Sequence, residues 1–166
     1  MAKKIKMLPV RDIRVKSGDM TVSLDLDRFE KQYQQAQYLL DGTIMADMEP
    51  LMPKQAGTFI NKTKAASAAV AGSGLVYAAL GPEGRFLYHG KTMVDVQTGS
   101  PWARPAAKKV LVSEFSGKTN AKENLDLSRG ANPRAQPEWF EAAKAANKDH
   151  WVRLVKKTAG GGHRGR

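Results

Sequence analysis

Few residues in this chain are of types able to do chemistry, and their spacing decides what each can do. Two pairs of carboxylates lie close in sequence, Asp25 with Asp27 and Asp47 with Glu49. Such pairs serve acid–base catalysis when their pKa values are driven apart, or hold a hard cation through oxygen ligands. Asp25 and Asp27 on a strand would share one face. Asp27, three positions before Glu30, is better read as a helix N-cap in a capping box. Asp47 and Glu49 fall at a helix end on a wet surface. Gly72-Ser73-Gly74 sets a hydroxyl between glycines. It lacks the frame of a hydrolase nucleophile elbow and the strand-to-helix context of a phosphate loop, and reads as a hairpin turn. His89, His150 and His163 are too scattered for a metal site, and the absence of cysteine removes disulfides, thiolate zinc sites and thiol nucleophiles. No catalytic, cofactor-binding or metal-binding residue is assigned, no cofactor is expected, and the expectation is a protein that is not an enzyme.

Charge is the other chemical resource. The net charge is +11. Residues 1–16 hold six basic groups against one acidic, and residues 153–166 hold five against none. The stretch 17–152 is almost balanced, with 16 basic and 15 acidic residues. The excess therefore sits at the two ends. Lys3, Lys4, Lys6, Lys156, Lys157, Arg164 and Arg166 are the candidate contacts to DNA or to an acidic partner surface. The single Arg-Gly-Arg is not a repeat of the RNA-binding kind, and Lys108-Lys109 reads as a solvated face.

At 42% hydrophobic and 26% charged residues, the 166-residue chain suits one globular domain with a real core. No apolar run approaches the ~20 residues that span a bilayer. No apolar stretch of signal-peptide length follows the basic N-terminus. The expectation is a protein made in the cytoplasm, with no membrane partner.

The elements that must position these groups follow from periodicity. Residues 3–16 read as one or two short strands broken at Pro9, and 17–19 as a turn. Val22, Leu24 and Leu26 alternate with polar residues as a half-buried strand. Phe29, Tyr33, Ala36, Leu40, Ile44 and Met48 mark one face of a helix over about 28–48, which Gly42 weakens. Pro50 and Pro53 stop it, and Gly57 permits a tight turn. A short helix over 59–66 is expected. Ala68–Ala71 and Leu75–Ala78 then read as a hairpin about the Gly72-Ser73-Gly74 turn, and 85–89 as a further strand. Residues 90–131 read as a long loop or arm, within which Lys91 to Val96 could extend a strand or form the arm. Asn132, Pro133 and Pro137 signal the start of a helix over 137–158 that carries Trp139, Phe140 and Trp151.

The sum is an α+β fold: a long amphipathic helix and a C-terminal helix packed on an antiparallel strand meander, with long loops and flexible termini. It divides into a basic N-terminal arm at 1–19, one domain at 20–158 with its long loop at about 90–131, and a Gly/Arg tail at 159–166. The structural anchors are Trp139, Phe140, Trp151, Gly57 and Gly90.

Three segments together carry a resemblance. They are Pro50 to Phe59 after a long helix, Tyr77 through Lys91, and Asn132 to Trp151, within which Gly57-Thr58, Tyr88-His89-Gly90 and Pro133-Arg134-Ala135 with Trp139-Phe140 stand at the motif positions. Their order resembles the minor capsid protein family of tailed bacteriophages and prophages, similar in layout to neck and tail-completion proteins. The resemblance spans roughly residues 20–158. It implies a ring of six or twelve identical subunits in the virion, at the head-to-tail connection. The neighbours would be portal, adaptor or stopper proteins on one side and tail-tube or tail-terminator proteins on the other, with genomic DNA in the lumen. Assembly would take place in the host cytoplasm. The competing expectation is a small basic nucleic-acid-binding protein, whose support is the charge at both ends.

Overall fold

The longest helix organises the chain. Helix α1, Asp27–Met48, has 22 residues and spans about 33 Å. The computed structural model describes residues 13–24, 27–54, 57–81, 83–102, 106–127 and 129–160. Ahead of α1, strands β1 (Ile13–Ser17) and β2 (Met20–Leu24) form an antiparallel hairpin that pairs Val15 with Val22. Helix α1 runs through Gly42 unbroken and ends where Pro50 removes a helical donor. A single 3-10 turn follows at Glu49–Leu51, and Met52 is extended. Helix α2 (Thr58–Ala69), the short α3 (Gly84–His89), strands β3 (Met93–Asp95) and β4 (Lys109–Leu111), and α4 (Trp139–Ala159) complete the order. The architecture is α+β, with α1 and α4 packed together and two small antiparallel sheets among the described residues.

The core lies where α1, α2 and α4 meet. Met45, Met48, Met52, Ile60, Trp139, Ala143 and Trp151 are its buried members. Ala36 is buried higher on α1, and Leu40 and Ile44 pack against the cluster. The apolar face that the sequence marks on α1 is therefore a real seam over its second half. Its first half departs from expectation: Phe29 is 56% and Tyr33 49% exposed. Glu30 accepts a hydrogen bond from Gln34 Nε2 at 3.1 Å.

The strand meander expected over 67–89 does not form. Ala68 and Ala69 close α2, which runs three residues past the expected 59–66 helix, and residues 70–74 are turns. Alanine alternates with alanine as readily on a helix as on a strand, and its helix propensity is the highest of all residues. Leu75–Ala78 stays irregular because side chains supply what a neighbouring strand would. Ser67 Oγ accepts from the Tyr77 backbone N–H at 3.1 Å. Residues 85–89 are helix α3 rather than a strand. The cause is Gly90, which takes φ 62°, so that the Lys91 N–H reaches back to the Phe86 carbonyl at 3.0 Å in a Schellman closure. A stretch this short, with only Phe86, Leu87 and Tyr88 apolar, cannot be told from a strand by periodicity alone.

The strand of Val22, Leu24 and Leu26 is expected from its alternation to be half buried, yet every side chain described in β1 and β2 is exposed. The segment expected as a loose arm at 90–131 is tied to its own chain. Its strands β3 and β4 pair, the Thr92 N–H donates to the Glu123 carbonyl at 2.9 Å, and the Leu125 N–H donates to the Gly90 carbonyl at 2.8 Å. The 1–12 and 161–166 ends lie outside the described residues.

One buried carboxylate holds the loop after α2 onto α1. Asp41, 3% exposed, accepts from the Gly72 N–H at 2.7 Å and the Gly74 N–H at 3.1 Å through Oδ2. Its Oδ1 accepts from Gln37 Nε2 at 2.7 Å. Gly72 and Gly74 have φ of 83° and 77°, which turns both N–H groups toward the carboxylate. Asp41→Ala is expected to cost about 3 kcal/mol in urea unfolding, because it strands buried donors. Gly42→Ala, one residue on, is expected to gain up to about 1 kcal/mol, since nothing lies within 4 Å of the added methyl.

Candidate functional site

The segment 132–151 is where distant parts of the chain meet. Asn132 does not cap α4, as the sequence suggested. Its Nδ2 donates to the carbonyls of Pro50 at 3.0 Å and Met52 at 2.7 Å, and its Oδ1 accepts from the Arg134 N–H. It thereby stitches the segment to the end of α1. The Gln136 N–H adds a bond to the Leu51 carbonyl at 3.1 Å, and the Glu138 N–H one to Tyr88 at 2.7 Å. These donors hold 136–138 in an irregular path, so neither Pro133 nor Pro137 opens the helix. Glu138 is the residue before α4 and takes φ 51°. That left-handed conformation is costly away from glycine and persists where surrounding bonds fix it.

Trp139 then enters the core and is fully buried. Its Nε1 donates to the Ala78 carbonyl at 2.8 Å. Tyr88 meets it edge-on with centroids 5.0 Å apart, and Phe59 does so at 6.0 Å. These T-shaped arrangements suit the ring quadrupoles. One side chain thus joins α2, the 75–80 stretch, α3 and α4. Phe140 is partly buried and stacks on Trp151 at 6.4 Å. Trp151 is 6% exposed, and its Nε1 donates to Asp47 Oδ2 at 2.6 Å. Ala143 is buried, whereas Ala145 and Ala146 face solvent.

Gly57 precedes α2 with φ 79°, and Phe59 follows within its first turn. Gly90 closes α3, and a Cβ there would come within 3.0 Å of Pro137. Parts of the three segments that carry the resemblance therefore meet in space. Gly57-Thr58 brings in Phe59, Tyr88-His89-Gly90 brings in Tyr88, and both rings pack on Trp139.

The remaining candidates separate. Asp47 and Glu49 have different partners, Trp151 for the first and Lys64 Nζ at 2.7 Å for the second. Asp25 lies outside the described residues, and Asp27, read as the cap before the helix, is the first residue of α1, with a side chain that is not described. Ser73 is buried in its turn, and its Oγ has no hydrogen-bond partner among the described residues. His89 Nδ1 is 4.0 Å from Glu138 Oε1 on the surface. Among the described residues no group of acidic, His or Cys side chains could hold a metal ion, and no helix is long and apolar enough to cross a membrane. An apolar cleft of about 430 Å³ lies between α1 and α2, lined by Gly42, Met45, Ala46, Ala65 and Ala68. Lys156 and Lys157 are exposed in the last turn of α4, where cations favour the helix dipole. Lys3, Lys4, Lys6, Arg164 and Arg166 lie outside the described residues. Trp102 is 87% exposed in the β3–β4 loop.

Sequence reasoning missed Asp41 and the cross-chain role of Asn132. Asp41 had a signal: an acid inside the apolar arc of α1, with a glycine-rich, donor-rich turn later in the chain. Asn132 had none, since its partners are carbonyls some 80 residues away.

No protein-family model, curated protein or solved structure matches the chain.

Two outcomes follow from this geometry. Trp139→Ala is expected to lose about 3–5 kcal/mol in denaturant unfolding, and Trp139→Phe to lose less, since it keeps a ring but abandons the Ala78 carbonyl. The Tyr88 hydroxyl is pushed up from its ordinary 10.0 by burial, then by Glu141 and Glu138, against a hydrogen bond from the Glu141 backbone. Its neutral form is the one the fold favours. Stability from this group is therefore full below pH 10 and declines as pH rises through the folded value. Absorbance titration should show one tyrosine ionising late, and Tyr88→Phe should remove it.

Proposed function

We propose that this chain is a structural virion protein of a tailed phage, without catalysis. It would form a ring in the head-to-tail connection and join the portal side of the head to the tail. The observation that carries the reading is the convergence on Trp139. The glycine-threonine turn, the Tyr-x-Gly step and the Pro-x-Ala and Trp-Phe segment are separated by tens of residues. Their meeting at one buried indole gives a physical reason for that combination of motifs in one fold. The surface also suits the role. A subunit in a closed ring meets neighbours through heterologous faces, and exposed apolar groups are what such faces require.

In this reading the basic ends, from Lys3, Lys4 and Lys6 and from Lys156, Lys157, Arg164 and Arg166, face DNA in the lumen. They contact phosphate without reading sequence. A free-standing nucleic-acid-binding protein fits less well, because residues 17–152 are nearly neutral and the exposed hairpin offers an apolar face. The protein would reside at the neck of the particle and assemble in the host cytoplasm.

Particles from a lysate of the phage or prophage carrying this gene provide the test. The chain is expected in purified virions, as a ring of six or twelve at the head–tail junction in electron micrographs. Disrupting the gene is expected to leave filled heads and separate tails. Joined, infectious particles that lack the chain would end the proposal.

A further inference from the structure

The three tryptophans are of two kinds. Trp139 is 0% and Trp151 6% exposed, whereas Trp102 is 87% exposed. An indole is highly buried on average, so a ring left in water is the exception to account for. The turn that carries it is fixed by its own bonds. Asp95 is fully buried, and its Oδ1 accepts from the Gln97 N–H at 2.8 Å. The Gly99 N–H donates to the Asp95 carbonyl at 2.8 Å, and the Asp95 N–H donates to the Ser100 carbonyl at 2.9 Å. Ser100 Oγ in turn accepts from the Trp102 N–H at 3.2 Å. The same turn gathers cations from two other stretches. The Val96 N–H donates to the Lys108 carbonyl at 3.1 Å, and Asp95 pairs with Lys109 across the β3–β4 sheet. Thr119 Oγ1 donates to the Gly99 carbonyl at 2.6 Å, which sets Lys118 beside the turn. Pro101 and Lys109 line one cleft of about 580 Å³, together with Phe86, Leu87 and Met93.

We infer that Trp102 with Lys108, Lys109 and Lys118 forms a binding site for single-stranded nucleic acid. The lysines hold phosphates, and the indole stacks on an unpaired base. Charge complementarity selects this occupant. The three lysines are exposed and form no ion pair among the described residues. No acidic residue occurs from 96 to 113. The acids that come near are engaged, Glu123 with Lys91 Nζ at 3.0 Å and Glu114 with the Leu111 N–H at 3.4 Å. Glu83 lines the cleft against two cations, Lys91 and Lys109. An acidic peptide would match the lysines and leave the ring in water. A lipid surface takes several apolar side chains side by side, and the turn ahead of Trp102 is Gln97, Thr98, Gly99 and Ser100. A second copy would set lysine against lysine. Duplex DNA has its bases stacked on one another already, and opening a step for the ring costs free energy. An unpaired base offers its face without that cost. The site lies inside the near-neutral stretch 17–152, apart from the basic ends, and does not rest on the neck role.

Fluorescence titration of the full chain in about 0.15 M salt tests this, because Trp102 is the exposed tryptophan of the three. An oligothymidylate of about 15 nucleotides is expected to quench its emission. Inorganic polyphosphate, which has the charge and no bases, is expected to leave the emission unchanged. Anisotropy of the labelled oligonucleotide is expected to show Trp102→Ala binding about fivefold more weakly or worse, with Trp102→Phe between it and the wild type. Lys108→Gln with Lys109→Gln is expected to reduce the slope of log affinity against log salt by about 1.4. All these changes are at exposed side chains, so helical circular dichroism is expected to stay as in the wild type. Emission that does not respond to the oligonucleotide overturns the inference, and any binding then belongs to the basic ends. Trp102→Ala binding as tightly as the wild type also overturns it, as does a duplex that competes as well as the single strand. A blue shift on phosphatidylglycerol vesicles, with no response to the oligonucleotide, overturns it and gives the ring to a lipid surface. The neck role stands or falls separately, on the virion experiment.

Discussion

The indole of Trp139 is the contact on which the rest of this structure depends. It is fully buried and satisfies its one polar atom with the Ala78 carbonyl. Its faces and edges are occupied by Tyr88 and Phe59. A buried aromatic brings a large apolar area into the core, and its N–H needs a partner once water is gone. Both requirements are met by parts of the chain that make no extended sheet with one another. The stretch from 70 to 90 has turns, a six-residue helix and little regular bonding. It holds its place because it wraps an indole delivered by α4.

Two further contacts keep α4 aligned with α1. Asn132 bonds the carbonyls of Pro50 and Met52, just past the end of α1, and Trp151 bonds Asp47 within its last turn. Asp41 does the equivalent for the loop after α2. The pattern is a core of helices whose irregular links are held by side-chain hydrogen bonds to backbone groups. Beyond Ala36 toward the N-terminus, that support ends. Among the described residues, Phe29, Tyr33 and the hairpin face stand in solvent.

The long helix was legible in the sequence because its apolar steps of three and four continue for 20 residues and prolines end it. The C-terminal helix was legible from the Asn132 and proline signals ahead of it, although α4 itself starts at Trp139. The meander was not. Ala68 through Ala71 carries no period, and Arg85 to His89 is too short to distinguish a turn of helix from a strand. The decisive signals there were Gly90, a helix-ending glycine whose closure is local, and Asp41, a buried acceptor whose donor Gly72 lies 31 residues on. Trp139 was legible as an anchor from its company of aromatics, whereas its acceptor, Ala78, belongs to a segment that pattern reading placed in a strand. The exposure of the hairpin was hidden because alternation reports that one face is apolar, not that anything covers it.

Native-state hydrogen exchange measures the central claim directly. If Trp139 makes α4 part of the core, its indole N–H and the backbone N–H groups of α1 around Met45 and Met48 exchange with the same, largest free energy, equal to that of global unfolding. The hairpin N–H groups exchange far faster. Should the Trp139 indole and the α4 amides exchange through an opening that leaves α1 and α2 protected, α4 would be an appendage docked on a core complete without it, and the account would be wrong.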